Sequence, residues 1–169
     1  MGVAYTMSQL GTLGMKRREI NVVMARVMRV FPLGWIRDYL AIHFTKRGAT
    51  KYGYTPRQGE PGSGYSFRGS YTQTKLKRHS HTRPLEFSGR GKNDALTRNR
   101  ATSTSKSASA VLNARVFNFR NPNSKVDMRR ELTTVTDDEN QRLDLLSSQK
   151  AEAEFGRATR RAGRTQTIA

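Results

Sequence analysis

At 169 residues the chain is close to the ~150 residues expected of one domain. Its apolar share of 35% falls below the usual ~45–50%, a range that counts Gly, so any core is small and order depends in part on a partner. With 31 Lys and Arg against 13 Asp and Glu, a formal charge of +18 and a pI near 11.2, the chain calls for a polyanion or an acidic protein face nearby. The absence of Cys excludes disulfides, thiolate metal sites and Cys nucleophiles, and no apolar run approaches the ~20 residues of a membrane-spanning helix.

Residues 1–15 are expected to form an N-terminal arm. They contain no continuous hydrophobic segment followed by a cleavage site, so no secretory signal is expected. Over 16–31, "KRREINVVMARVMRVF", Ile20, Val23, Met24, Val27, Met28 and Phe31 recur at helical spacing and form one apolar stripe. Pro32, which lacks an N–H, is expected to end that helix. A second helix is predicted over 33–45, with Ile36, Tyr39, Leu40 and His43 on one face, giving an αα-hairpin or kinked pair.

From 46 to 80 Gly, Ser, Pro and basic residues dominate, which predicts a long extended basic loop with turns at "GEPGSG". Residues 71–78 fit a short helix or a strand equally. One helical turn is expected at "NDALTRNR". Val111, Ala114, Val116, Phe117 and Phe119 suggest strand, so two or three antiparallel strands are expected across 84–135, with a turn at "RNPNSK". Thr136 and Glu139 make a capping box for a last helix. Leu143, Leu146 and Phe155 mark its buried side, Gly156 is its expected C-cap, and 157–169 reads as a basic flexible tail. The fold class is thus α+β: a small antiparallel sheet packed with N- and C-terminal helices, in a single domain over 16–156.

Charge is unevenly distributed. Asp127, Glu131, Asp137, Asp138, Glu139, Asp144, Glu152 and Glu154 crowd into 127–154, whereas Glu60, Glu86 and Asp94 are the acids of 46–120. Such polarity suits head-to-tail contact between copies. No Walker loop, HExxH, GxSxG or recognisable carboxylate pair is present, so no enzymatic activity, catalytic residue or cofactor is expected. His79 and His81 form an H-x-H, but with His43 as the remaining His and no Cys no metal site is expected.

The candidate contact surface is the stretch where rings alternate with cations: Lys51, Tyr52, Tyr54, Arg57, Tyr65, Phe67, Arg68, Tyr71, Lys75, Lys77 and Arg78, continued by Arg83 and Arg90. Rings stack on bases and cations neutralise phosphates, but Tyr and Arg also concentrate at protein interfaces, and protein contact is the favoured reading. In "HTRPLEFSGRGK", Pro84 fixes φ at the entry to a strand or turn, Leu85 and Phe87 anchor the segment to the core, and Gly89 permits a tight turn.

The order of "KYGYTPR", then Tyr71 and Lys75, then "HTRPLEFSGR", then "ELTTVTDDENQRL" resembles the tail-completion and virion-morphogenesis proteins of tailed bacteriophages. The residues that carry it are Tyr52, Tyr54, Arg57, Tyr71, Lys75, Pro84, Leu85, Ser88, Gly89, Arg90, Glu131, Leu132 and Thr136 to Glu139, across roughly 20–150. The Gly-rich insert "QGEPGSGYSFRGS" and the basic tail depart from that pattern. The resemblance implies a structural neck protein, made in the host cytoplasm and carried in the virion. It would form a homo-oligomeric ring, of six or twelve copies, at the head–tail junction, joining portal or adaptor to tail proteins and passing double-stranded DNA without sequence preference, with no membrane partner. The alternative reading is a nucleic-acid-binding structural protein of a ribosome-like assembly.

Overall fold

The computed structural model describes residues 15–113, 117 and 125–166, with side chains through 160. Most of the expected N-terminal arm, and all of the "RNPNSK" turn except Lys125, lie outside these residues, as do Ala114, Val116 and Phe119. The chain is α+β, with helices flanking a two-stranded antiparallel sheet. It divides into two compact units. One takes the described residues of Met1–Trp35, Arg100–Val111 and Asp137–Ala169, and the other Ile36–Asn99 and Leu112–Thr136. Each is stitched from separate stretches of chain, a division that linear composition does not announce.

The first unit is built on α1 (Arg17–Asp38, through Trp35) and α6 (Asp137–Gln166). On α1 Val23 and Val27 are buried and Ile20, Met24, Met28 and Phe31 half-buried, as the stripe predicts. Pro32 does not end the helix: α1 runs through it to Asp38. Proline inside a helix costs about 3 kcal/mol because it has no N–H for the carbonyl of the preceding turn. Here Pro32, Gly34 and Trp35 are all buried, and tertiary packing overrides the local stop signal. At Gly34 a Cβ would stand 2.7 Å from Leu143 Cδ2, so the missing side chain is what lets α6 lie against α1. Arg26 meets Glu154 at 3.4 Å, and the two contacts run in opposite directions along the sequence, so the helices are antiparallel.

The long C-terminal helix α6 starts directly after Thr136, as the capping signal predicts, and buries Leu143 fully, with Leu146 and Phe155 half-buried. Gly156 is not its end, and 157–166 is helix rather than tail. One Gly costs a helix only about 1 kcal/mol, and side chains brace this stretch. Lys150 and Arg157 reach Glu154 at 2.8 and 3.8 Å, and Arg160 Nε donates to the Gly156 carbonyl at 2.9 Å.

The sheet is a hairpin of β1 (Asn99–Ser103) and β2 (Ala108–Leu112). Thr104 closes the loop: its hydroxyl accepts from the Lys106 and Ser107 N–H groups, and its own N–H donates to the Ser107 carbonyl. Ala101 is buried and Ala108, Ala110 and Leu112 are half-buried, while Ser109 and Val111 face out, an alternation of period two.

In the second unit the expected helix over 33–45 is instead the end of α1 followed by a 3-10 turn, Leu40–Phe44. The expected extended loop over 46–80 holds for 52–70, which carry no helix, and is corrected at its ends, which form two helices, the latter being one of the two forms open for 71–78. The first is α2 (Lys46–Lys51), capped by the Thr45 hydroxyl, which accepts from the Gly48 N–H. The second is α3 (Tyr71–His79), capped by Ser70, which accepts from the Gln73 N–H. The connecting stretch is pinned by turn bonds: Arg57 N–H donates to Glu60 Oε2 at 2.8 Å, and Thr72 N–H to the Gln58 carbonyl at 3.2 Å. The "NDALTRNR" turn belongs to a longer α4 (Arg90–Thr97), followed after a gap in the described chain by α5 (Met128–Leu132). Leu40, His43, Phe44, Ala95, Phe117 and Leu132 form the core, with Phe44 and Phe117 in ring contact at 6.0 Å.

Packing of α2 on the 3-10 turn depends on Gly48, where an added Cβ would overlap the Ile42 carbonyl oxygen. The neighbour is backbone and cannot yield by changing rotamer. Gly48→Ala is expected to lower stability by about 1–3 kcal/mol, measured by thermal or urea unfolding; an unchanged midpoint would show that α2 sits further from the turn.

Candidate functional site

Four residues of the ring-and-cation stretch, Arg57, Tyr71, Lys75 and Arg90, line one cleft in the second unit, of about 910 Å³. Tyr71 and Lys75 come from α3, and Leu85, Phe87 and Ser88 from the following turn. The N-terminal half of α4 adds Arg90, Gly91 and Asp94. Arg57, Arg98, Asn113, Phe117 and Met128 complete the lining. The motif "PLEFSGR" is therefore a wall of the cleft.

Its local geometry follows from the residue types. Pro84 sits buried in a turn, as its fixed φ predicts. Leu85 is buried with φ 52°, a left-handed conformation that costs an L-residue roughly 1–2 kcal/mol. Gly89, φ 83°, begins α4 where a side chain would be strained. Beneath the turn, Glu86 is buried and gathers Arg83 at 2.9 Å, Lys92 at 3.4 Å and His81 at 3.8 Å. Burial, reinforced by Arg83, pushes His81 below its ordinary range. Phe87 stacks on Tyr71, with centroids 5.7 Å apart, and meets His79 edge-on at 4.7 Å.

The structure separates the predicted contact residues into two sets. Lys51, Tyr65, Arg68, Tyr71, Lys77, Arg78, Arg83 and Arg90 are exposed, as a contact surface requires. Tyr52, Tyr54 and Lys75 are not: they are 8%, 9% and 3% exposed. Tyr52 stacks flat on His43, centroids 3.8 Å apart, and Tyr54 Oη lies 2.5 Å from His43 Nδ1. These two rings are core residues. The Tyr54 N–H donates to the Ala49 carbonyl and the Tyr52 N–H to that of Gly48, so the chain folds back over the end of α2.

Arg57 likewise is committed, through a two-pronged pair with Glu131. Nη1 donates to Oε1 at 2.9 Å and Nη2 to Oε2 at 2.5 Å, with the two side chains 11% and 10% exposed. The Thr55 N–H also donates to Glu131 Oε1 at 3.0 Å, and His43 Nδ1 lies 3.1 Å from the Glu131 carbonyl. Lys75 donates to the Arg83 carbonyl and lies 5.7 Å from the Tyr71 ring centroid. Burial pushes its ammonium down to about 8 from its ordinary 10.5, against a smaller upward pull from Glu60.

The sequence marks Glu131 only as part of the phage-like motif order and Glu86 only as an isolated acid, and it does not point to Asp94, Arg98, Asn113, Phe117 and Met128 as lining. For Glu86 a signal was present: it is the lone acid between Arg83 and Arg90. For the rest there was none, because their approach depends on tertiary folding.

Comparison with family models, with curated proteins and with solved structures finds no match to this chain.

Two outcomes follow from the geometry. Arg57→Ala strands a mostly buried carboxylate and is expected to destabilise the protein by about 3–5 kcal/mol, read from urea unfolding; a loss near zero would mean that water reaches the pair. Lys75 supplies the second. Its unfolded form holds a proton to about 10.5 and its folded form only to about 8, so the unfolded chain binds more protons between these values and stability rises with pH across that window. Lys75→Met should flatten this rise, and a wild-type slope equal to that of the variant would contradict it.

Proposed function

We propose that this chain is a non-enzymatic structural subunit of the neck of a tailed-phage virion. It assembles with copies of itself as a ring at the head–tail junction, joins portal or adaptor to tail, and surrounds passing double-stranded DNA. The observation that carries this reading is the character of the exposed surface of the second unit. Tyr65, Phe67, Tyr71 and Phe87 are 63%, 45%, 41% and 37% exposed, and Arg68, Arg83 and Arg90 are exposed as well.

Large exposed rings beside Arg are the composition of a protein interface core and its rim. A subunit with 35% apolar residues that still leaves such rings in water gains by burying them against another protein. The motif order resembling phage tail-completion proteins supplies the setting, and the charge of +18 suits a position beside DNA that is held through its phosphates and not through base edges.

The same charge favours a second reading, a nucleic-acid-binding protein of a ribosome-like particle. Light scattering of the purified protein over a salt series separates the two. The neck reading expects a ring of defined mass that persists at high salt, because buried rings carry its contacts. A monomer that binds RNA, with affinity collapsing as salt rises, would overturn it.

A further inference from the structure

Within the first unit, α6 presents an exposed face that has no use in the packing described above. Asp138 and Leu145 are seven residues apart, so they fall within about 20° of each other around the helix and about 10.5 Å apart along it. Leu145 is 60% exposed, and Asp138 is exposed and makes no ion pair among the described residues. Proximity to the positive end of its own helix favours the charge but does not account for a bare leucine two turns further on.

The cleft carries the complementary pattern. Arg90 and Arg98 stand at its rim beside the exposed rings of Tyr71 and Phe87. Asp94, its one acid, lies 3.9 Å from Arg98 and can also face Arg142, which lies on the same α6 face as Asp138. Its volume is at the upper end of the ~300–1,000 Å³ typical of ligand pockets. That is room for a few side chains of a helix, whereas a DNA duplex is too wide to enter it.

We propose that the cleft of one copy receives the Asp138–Leu145 face of α6 from a second copy, with Asp138 paired to Arg90 and Leu145 set among Tyr71 and Phe87. The proposal rests on the ring reading above and names the contact that builds the ring. Cleft and helix face are different surfaces, so the contact can repeat head to tail, and it builds a ring where the rotation from copy to copy closes.

The test uses the full chain and sedimentation equilibrium, with circular dichroism to confirm folding. Asp138→Arg, Leu145→Glu and Arg90→Asp are each expected to weaken self-association by about tenfold or more, while the double variant Asp138→Arg/Arg90→Asp recovers it, as a swapped charge pair does. If the single variants assemble like the wild type, the contact is overturned and the ring reading stands. A dimer that is lost in the single variants and recovered in the double variant supports the contact and overturns the ring. A wild-type monomer at all concentrations overturns both. If Arg90→Asp instead abolishes binding of a single-stranded oligonucleotide and leaves assembly intact, the cleft serves nucleic acid and the proposal fails.

Discussion

The second unit depends on one buried carboxylate. Glu131 accepts both prongs of the Arg57 guanidinium and the Thr55 N–H, and its carbonyl lies beside His43. Those partners come from the 3-10 turn and from the segment after α2, far in sequence from α5, whose single residue Glu131 joins them. A charge this deep is tolerable only with its partners in place, since an ion taken out of water recovers its hydration through geometry or not at all. The knot therefore has one workable arrangement. It also holds Arg57 where the guanidinium forms part of the cleft wall, so a stabilising interaction and the shape of the site have the same origin.

A small core makes such polar fixing necessary. The apolar cluster of Leu40, Phe44, Ala95, Phe117 and Leu132 is modest, and much of the remaining order comes from caps, turn bonds and buried charge. Glu86 repeats the theme under the "PLEFSGR" wall, where three basic side chains surround it. Leu85 pays its left-handed strain to keep a buried side chain in place, and Phe87 is left standing outward against Tyr71. The wall is held by buried charge and its rings face water, the condition of a surface that gains by being covered. This is the link from core size to proposed function: a subunit whose apolar content is spent on exposed rings is better stabilised in an assembly than alone.

Electrostatics point the same way. Acids near the end of the chain are not spread as a solvated coat. Glu154 draws Arg26, Lys150 and Arg157, and the Lys150 hydrogen bond most of all, with Arg26 beside it, holds its carboxyl below the usual range. Asp138 stays outward with no such company. A strongly positive molecule that neutralises some acids internally and displays others has a polarity that neighbouring copies can use, and self-repulsion at +18 falls when acidic and basic faces meet.

Local chemistry sufficed for part of the fold. The apolar stripe of α1, the start of α6 after Thr136, the α+β class, and the exposed Tyr65, Arg68, Tyr71 and Arg90 were all legible in the sequence, because periodicity, capping residues and charge act over a few positions. The errors came where distant packing outweighed a local signal. Pro32 and Gly156 read as helix ends, but burial against a neighbouring helix and side-chain bracing offset their cost. Tyr52 and Tyr54 read as surface rings because they sit among Gly and Lys, and only the fold of the chain over His43 takes them inside. Lys75 looked like one more basic side chain until α3 buried it. The cleft itself was beyond sequence reasoning, since it is made by segments that meet only after Glu131 has joined them, and no spacing along the chain encodes a distance in space.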